Sequence, residues 1–143
     1  MNMIIAVVDG MGGGLGAQLV SQLTAQLASR AEVIVLGTNA LATNNMVRAG
    51  AARGATGENA VVVSVARADI VTGPIGIIIA NAMMGEITPK IAEAVASSPA
   101  RKILLPVSQG HFEIVGLESR PLGVVIKDAV ARIVELVHAR EGA

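Results

Sequence analysis

The fold is decided by residues 3–16, MIIAVVDGMGGGLG, in which an apolar run meets a turn holding five glycines in seven residues. Met3 to Val8 is rich in β-branched residues and has no polar interruption, which predicts a strand buried on both faces. A helix to about Ser29 follows, because apolar residues recur at helical spacing at Leu15, Leu19, Val20, Leu23 and Leu27. A buried strand, a tight turn and a helix are the opening unit of a parallel α/β sheet.

Strands and helices alternate along the rest of the chain. Further strands are predicted at 32–36, 69–73, 102–106 and 112–116, and further helices at 40–49, 57–67, 88–98 and 122–139. Residues 51–57 are predicted to form a loop, and residues 77–84 either a buried helix or a strand. The segment 57–67 is ambiguous, because residues 60–65 also have strand propensity. The pattern predicts one Rossmann-like α/β domain over residues 1–143, a three-layer sandwich with a mainly parallel sheet of about five strands.

The composition excludes several classes of function. Eleven basic and eleven acidic residues leave no net charge, which argues against a nucleic-acid partner. The chain has no cysteine and two histidines, so disulfides and thiolate chemistry are excluded and no metal site is expected. The amino terminus lacks an export signal, and the apolar run Ile75–Met84 is too short to cross a membrane. We expect a cytoplasmic protein with no membrane partner.

The glycine turn is the leading candidate site. A helix that begins after the first strand directs unpaired amides and the positive end of its dipole at the carboxyl edge of the sheet. Glycines let a phosphate approach that backbone closely. The candidate ligand-binding residues here are Asp9, Gly10, Met11, Gly12, Gly13, Gly14 and Gly16. In the alternative interpretation the glycines only pack a helix on a strand, and Asp9 caps the amides of the turn.

The identity of the ligand is less well defined. The spacing G-x-x-x-G-x-G resembles the cofactor turn of short-chain dehydrogenases, but this chain has no tyrosine to carry their chemistry. The second strand ends in Gly37, Thr38 and Asn39, not in the acidic residue typical of an NAD site. That difference favours NADP, a mononucleotide or a smaller phosphate, with Arg48 and Arg53 available for an extra phosphate.

Other polar residues follow the later strands. Gly73 and Pro74 end the third predicted strand at the same edge of the sheet, and Asn81 interrupts an apolar run and needs a polar partner there. Candidates for proton transfer are Glu86, Lys90 and His111. No residue is assigned as catalytic, and whether the protein is an enzyme is left open. The apolar run Ile75–Met84 is suited to a subunit contact, so we expect a homodimer or larger assembly.

Several short motifs together carry a family resemblance. They are DGMGGG at 9–14, GTN at 37–39, GATGEN at 54–59, GPIG at 73–76 and GEITPK at 85–90. With these motifs the chain resembles a bacterial family of uncharacterised proteins, domain of unknown function 3842, over nearly its whole length. The resemblance implies no activity.

The function predicted from the sequence is the binding of a nucleotide or dinucleotide, whose phosphate lies at the glycine turn. One alternative is an enzyme acting on a small phosphorylated or carboxylated metabolite, with Lys90 or Glu86 moving a proton. The other is a non-catalytic interaction or regulatory subunit. The first prediction requires main-chain amides near Gly13 that are free to bind an anion.

Overall fold

A computed structural model describes residues 2–107 and 111–142 of the protein, and strands and helices alternate through them. The strands are β1 (Met3–Asp9), β2 (Ala31–Gly37), β3 (Arg53–Thr56), β4 (Ile70–Pro74) and β5 (Arg101–Leu105). The α-helices are α1 (Gly14–Leu27), α2 (Ala40–Arg48), α3 (Glu58–Val65), α4 (Pro89–Ser97) and α5 (Leu122–Glu141). Short 3₁₀ helices cover Ala28–Arg30 and Ile75–Ile78.

The five strands form one parallel sheet in the order β3-β2-β1-β4-β5. β1 lies at its centre and pairs along its full length with β2, from Met3 opposite Ala31 to Asp9 opposite Gly37. The chain leaves β1 toward β2 on one side and returns to β4 on the other, so strand order reverses between β1 and β4. In such sheets the crevice outside the carboxyl ends of the strands at this switch point is where ligands bind.

Helices cover both faces of the sheet. Ile5 and Val7 of β1 pack with buried residues of α1, α2 and α5, whereas Ala6 and Val8 pack with buried residues of α3 and α4. Successive side chains of a strand point to opposite faces, so an unbroken apolar strand is buried on both sides. The predicted three-layer, Rossmann-like α/β fold is confirmed.

The predictions for two segments at the margins of the sheet were wrong. Residues 51–57, expected to be a loop, contain β3, whose four residues are all exposed and which pairs only with β2. Its sequence RGAT has no apolar alternation, and Thr56 is its only β-branched residue, so it gives little signal of a strand. Residues 112–116, expected to be a strand, are irregular and exposed, because no neighbouring strand buries their apolar side chains.

The segment after β4 is neither of the two predicted alternatives. Residues 77–84 begin in the 3₁₀ helix and continue as turns in which Asn81, Met83 and Met84 have φ of 69°, 57° and 56°. The Asn81 amide donates to the Ile87 carbonyl at 2.7 Å and closes this excursion. Left-handed conformations at non-glycine residues interrupt any helix or strand, which explains why propensity alone failed here.

The other helix predictions held. The ambiguous segment 57–67 contains α3, and the Thr88 hydroxyl caps α4 by accepting the Ile91 amide at 3.1 Å. None of the helices in the part of the chain that the structure describes is long and apolar enough to span a membrane.

Candidate functional site

Three glycines of the turn have a structural reason to be glycine. Gly13 has φ +72°, and a Cβ added there would lie 2.8 Å from the backbone of Ala42 in α2. A Cβ at Gly16 would overlap Met46, and one at Gly10 would lie 2.7 Å from the Thr38 hydroxyl. These glycines bring α1 and α2 close to the end of β1, as the packing alternative predicted.

Gly12 and Gly14 have no such reason. A Cβ added at either position would meet no atom within 4 Å, and neither has a positive φ. Both are exposed. Packing therefore accounts for only part of the glycine turn, and these two positions leave open space directly over the backbone.

Asp9 organises the turn from the end of β1. Its two carboxylate oxygens accept the Gly10 and Gly16 amides, each at 2.8 Å. Because Gly13, at the N-cap of α1, has no side chain, Asp9 satisfies the third helical amide in its place. The capping role considered for Asp9 is confirmed.

Two asparagines of α2 orient the peptide groups of the turn. Asn39 Nδ2 donates to the Met11 carbonyl at 2.9 Å, and Asn45 Nδ2 donates to the Gly12 carbonyl at 2.7 Å. In a trans peptide the carbonyl and the next N–H point in opposite directions. The Gly12 amide therefore points away from α2. Asn45 was not singled out from the sequence, since nothing in its local pattern distinguishes it from a surface residue.

Several amides at this end of α1 lack an acceptor. The Gly13 amide donates to the Gly10 carbonyl at 2.9 Å, and Ala17 begins the helical ladder by donating to Gly13. The amides of Gly12, Gly14 and Leu15 meet no acceptor within residues 2–107 and 111–142. The requirement for free amides near Gly13 is met by its neighbours, while Gly13 itself is bonded internally.

These amides border a cleft of about 180 Å³ at the switch point. The residues that line it are Asp9, Gly10, Met11, Gly12, Gly13, Gly14, Leu15, Pro74, Met83 and Val107. A second cavity of about 380 Å³ lies beyond Val107, between the segment after β5 and the start of α5. Val107 borders both, so the cleft and the larger cavity adjoin.

Glu86 places a carboxylate at the end of β2. Its Oε1 accepts the Met11 amide at 2.9 Å, the Thr38 hydroxyl at 2.5 Å and the Asn39 side-chain amide at 2.8 Å. The end of β2, which has no acidic residue of its own, receives one from the β4–α4 segment. Local sequence reasoning named Glu86 only as a proton-transfer candidate.

The two carboxyl groups titrate in opposite directions. Burial raises the pKa of Asp9 above its ordinary value of 3.8, although its two amide donors partly offset this effect. Hydrogen bonding, above all from the Thr38 hydroxyl, lowers the pKa of Glu86 below its ordinary value of 4.5. Glu86 is consequently an anion at neutral pH and acts as an acceptor.

The remaining predicted residues divide into those at the cleft and those elsewhere. Thr38, Asn39 and Pro74 lie at the cleft or hold Glu86 beside it. Gly73 serves strand packing, since a Cβ there would overlap the Val8 carbonyl. Asn81 is exposed, and its side chain has no hydrogen bond to the described residues, so no structural partner for it is found among them.

The basic candidates lie away from the cleft. Arg53 begins β3 at the edge of the sheet formed by the amino-terminal ends of the strands, opposite the cleft, and it pairs with Glu32 at 2.6 Å. Arg48 ends α2, which runs back toward that same edge. Lys90 and His111 are exposed and do not line the cleft. Within the described ranges, no cluster of three or more His, Cys, Asp or Glu residues could hold a metal ion.

Comparison with known proteins gives a family and a distant likeness. One solved structure, the dodecameric FMN-dependent UbiX-like decarboxylase from Escherichia coli O157:H7, matches with 14% identity and a TM-score of 0.45. The alignment covers 99% of this chain and 94% of that one, a likeness too distant to support any functional argument. No curated protein matches the chain in sequence. The family model described as domain of unknown function (DUF3842) matches residues 4–138, so the chain belongs to that family.

Proposed function

We propose that this protein binds a nucleotide or dinucleotide, with a phosphate group in the cleft in front of Gly12 and Gly14. The observation that carries the proposal is that these two glycines have no packing reason to be glycine. Amides at a helix amino terminus are natural ligands for phosphate oxygens. A purely structural turn would need Gly10, Gly13 and Gly16 alone.

The size of the cleft indicates which part of the ligand it holds. About 180 Å³ is below the roughly 300–1,000 Å³ of typical small-molecule pockets, so a phosphate would fit while a nucleoside would extend outside. One such extension leads across Val107 to the cavity of about 380 Å³, whose volume is within that range. This arrangement supports a ligand lying across the carboxyl edge of the sheet.

The proposal is tested by titrating the protein calorimetrically with NAD, NADP, FMN, ATP and AMP. We expect at least one to bind, and Gly12→Ala and Gly14→Ala to weaken its binding about tenfold or more, because each methyl group occupies the space a phosphate needs. Gly142→Ala is the matched control, since its Cβ would make only ordinary contacts of 3.6 and 3.8 Å and it lies at the far end of α5, away from both cavities. No binding at millimolar concentration by any of the five would overturn the proposal.

We also propose that the protein forms a homodimer or larger assembly. Within the run Ile75–Met84, which was expected to form the contact, Ile77 is buried in the core of its own chain and Met84 is 93% exposed. The segment between β5 and α5 supports the proposal better, since Phe112 is 59% exposed and Val115 is 99% exposed. Light scattering should show an assembly that Val115→Lys weakens, and a monomer at high concentration would contradict the proposal.

A further inference from the structure

The Glu86 carboxylate is held in place through one of its oxygens, and its other oxygen has no hydrogen bond to the described residues. Its Oε1 holds three donors from Met11, Thr38 and Asn39. Its Oε2 has no hydrogen bond to any residue in the described parts of the chain. Only one peptide separates the Met11 amide, which holds Glu86, from the unbonded Gly12 amide. Glu86 is therefore anchored one residue before the amide proposed to bind the phosphate.

Among the described residues, those that line the cleft include one acidic side chain and no basic one. Asp9 lines it, and Glu86, although it does not line the cleft, accepts the amide of Met11, which does. A doubly charged terminal phosphate would be repelled by the carboxylates, whereas a phosphate esterified on both sides carries one charge and suits the helix dipole better.

From these contacts we infer that Glu86 selects a dinucleotide in which both hydroxyls of the adenosine ribose are free, such as NAD. It rejects a dinucleotide that carries a phosphate on the 2′ position of that ribose. The inference rests on the proposed function and specifies its ligand. An ionised carboxylate only accepts hydrogen bonds, so its free oxygen can bind a ribose hydroxyl but repels a phosphate. An acidic group at the end of β2 is where a dinucleotide ribose is read in this fold.

Selectivity for NAD replaces the preference for NADP that the isolated sequence favours. That preference assumed a neutral end to β2 and a nearby arginine. Glu86 makes the end of β2 anionic, and Arg53 is occupied by Glu32 at the other edge of the sheet. The acidic residue is thus present in space although the β2 sequence lacks it.

Calorimetric titration with NAD and NADP tests the inference. Wild-type protein should bind NAD about tenfold or more tightly than NADP, and Glu86→Gln should bring the two affinities close together. Glutamine keeps an oxygen for the three donors while removing the charge. Glu58→Gln is the matched control, because Glu58 also accepts a threonine hydroxyl at 2.5 Å, from Thr88, but does not border the cleft.

A second variant covers the case in which Glu86→Gln fails to fold. Thr38→Val removes the shortest hydrogen bond to Glu86 and should reduce the NAD preference without abolishing binding. Equal binding of NAD and NADP to the wild type, or an unchanged preference in the folded variants, would overturn the inference alone. Failure of every nucleotide to bind would remove the proposed function and this inference with it.

Discussion

The turn after β1 and the segment after β4 lie side by side at the switch point, and both use left-handed backbone. The first places Gly13 at φ 72° at little cost, and it also places Met11 at φ 52°. The second places Asn81, Met83 and Met84 there, where a side chain costs about 1–2 kcal/mol per residue. The turn after β1 has one non-glycine residue in this conformation and the segment after β4 has three, so the second segment depends more on the surrounding contacts that impose it.

Those contacts converge on Glu86. The Asn81 amide donates to the Ile87 carbonyl at 2.7 Å, and Glu86 is held by three donors from the opposite side of the crevice. Strained backbone of this kind concentrates at ligand-binding and switch regions. The comparison teaches that the glycine turn offers the binding surface, while the strained segment delivers the charged group beside it.

The largest effect is expected from Gly13→Ala. The added Cβ would lie 2.8 Å from the Ala42 backbone at a positive φ, so we expect a loss of about 3 kcal/mol in the free energy of unfolding. Urea denaturation measures it. A loss below about 1 kcal/mol would show that the glycine turn is as adaptable as the segment after β4.

Glu86→Gln should have the next largest effect, a loss of about 1 kcal/mol in the free energy of unfolding at pH 7. The loss is no larger because the carboxylate contacts solvent, which weakens its hydrogen bonds. Glu86 has a folded pKa below its ordinary value of 4.5, so the unfolded state binds its proton more readily. The stabilisation is present above that ordinary value and is lost as pH falls through the folded pKa.

The stability difference between wild type and Glu86→Gln should therefore shrink on acidification. Denaturation curves at a series of pH values measure this difference. Asp9, whose pKa is raised, acts in the opposite sense: its stabilising contribution is complete below its ordinary value of 3.8 and is lost as pH rises through the folded pKa. Because both proteins contain Asp9, its contribution largely cancels, and a pH-independent difference would contradict the assignment to Glu86.

Met84→Gly should stabilise the protein by about 0.5 kcal/mol. Met84 is 93% exposed, so little packing is lost, and relief of the left-handed conformation outweighs the extra entropy of glycine in the unfolded chain. Met84→Ala is the control, since alanine keeps the strain. Equal effects of the two substitutions would show that the segment after β4 is not strained at this position.

The smallest change in stability is expected for Gly12→Ala. Its Cβ meets no atom within 4 Å, so the free energy of unfolding should change by no more than about 0.5 kcal/mol. Thermal denaturation compares it with Gly13→Ala in the next position. A large loss would mean that Gly12 also serves packing, and the distinction within the turn would disappear.

Most of the architecture was predictable because it rests on local signals. The apolar run of β1, the helical spacing through Leu27 and the Thr88–Pro89 helix start each depend on neighbouring residues. β3 was missed because its side chains are exposed and its pairing with β2 alone defines it. Residues 112–116 have strand propensity but no partner among the strands described, so the strand predicted there from propensity was wrong.

The sequence by itself determined the order of strands and helices and the position of the glycine turn, because periodicity and backbone freedom are local properties. Tertiary structure alone decided which glycines pack and which face open space, and it alone brought Glu86 to Thr38 and Asn39 across 48 and 47 residues. Charge at a binding site depends on distance in space, which no local pattern along the chain records.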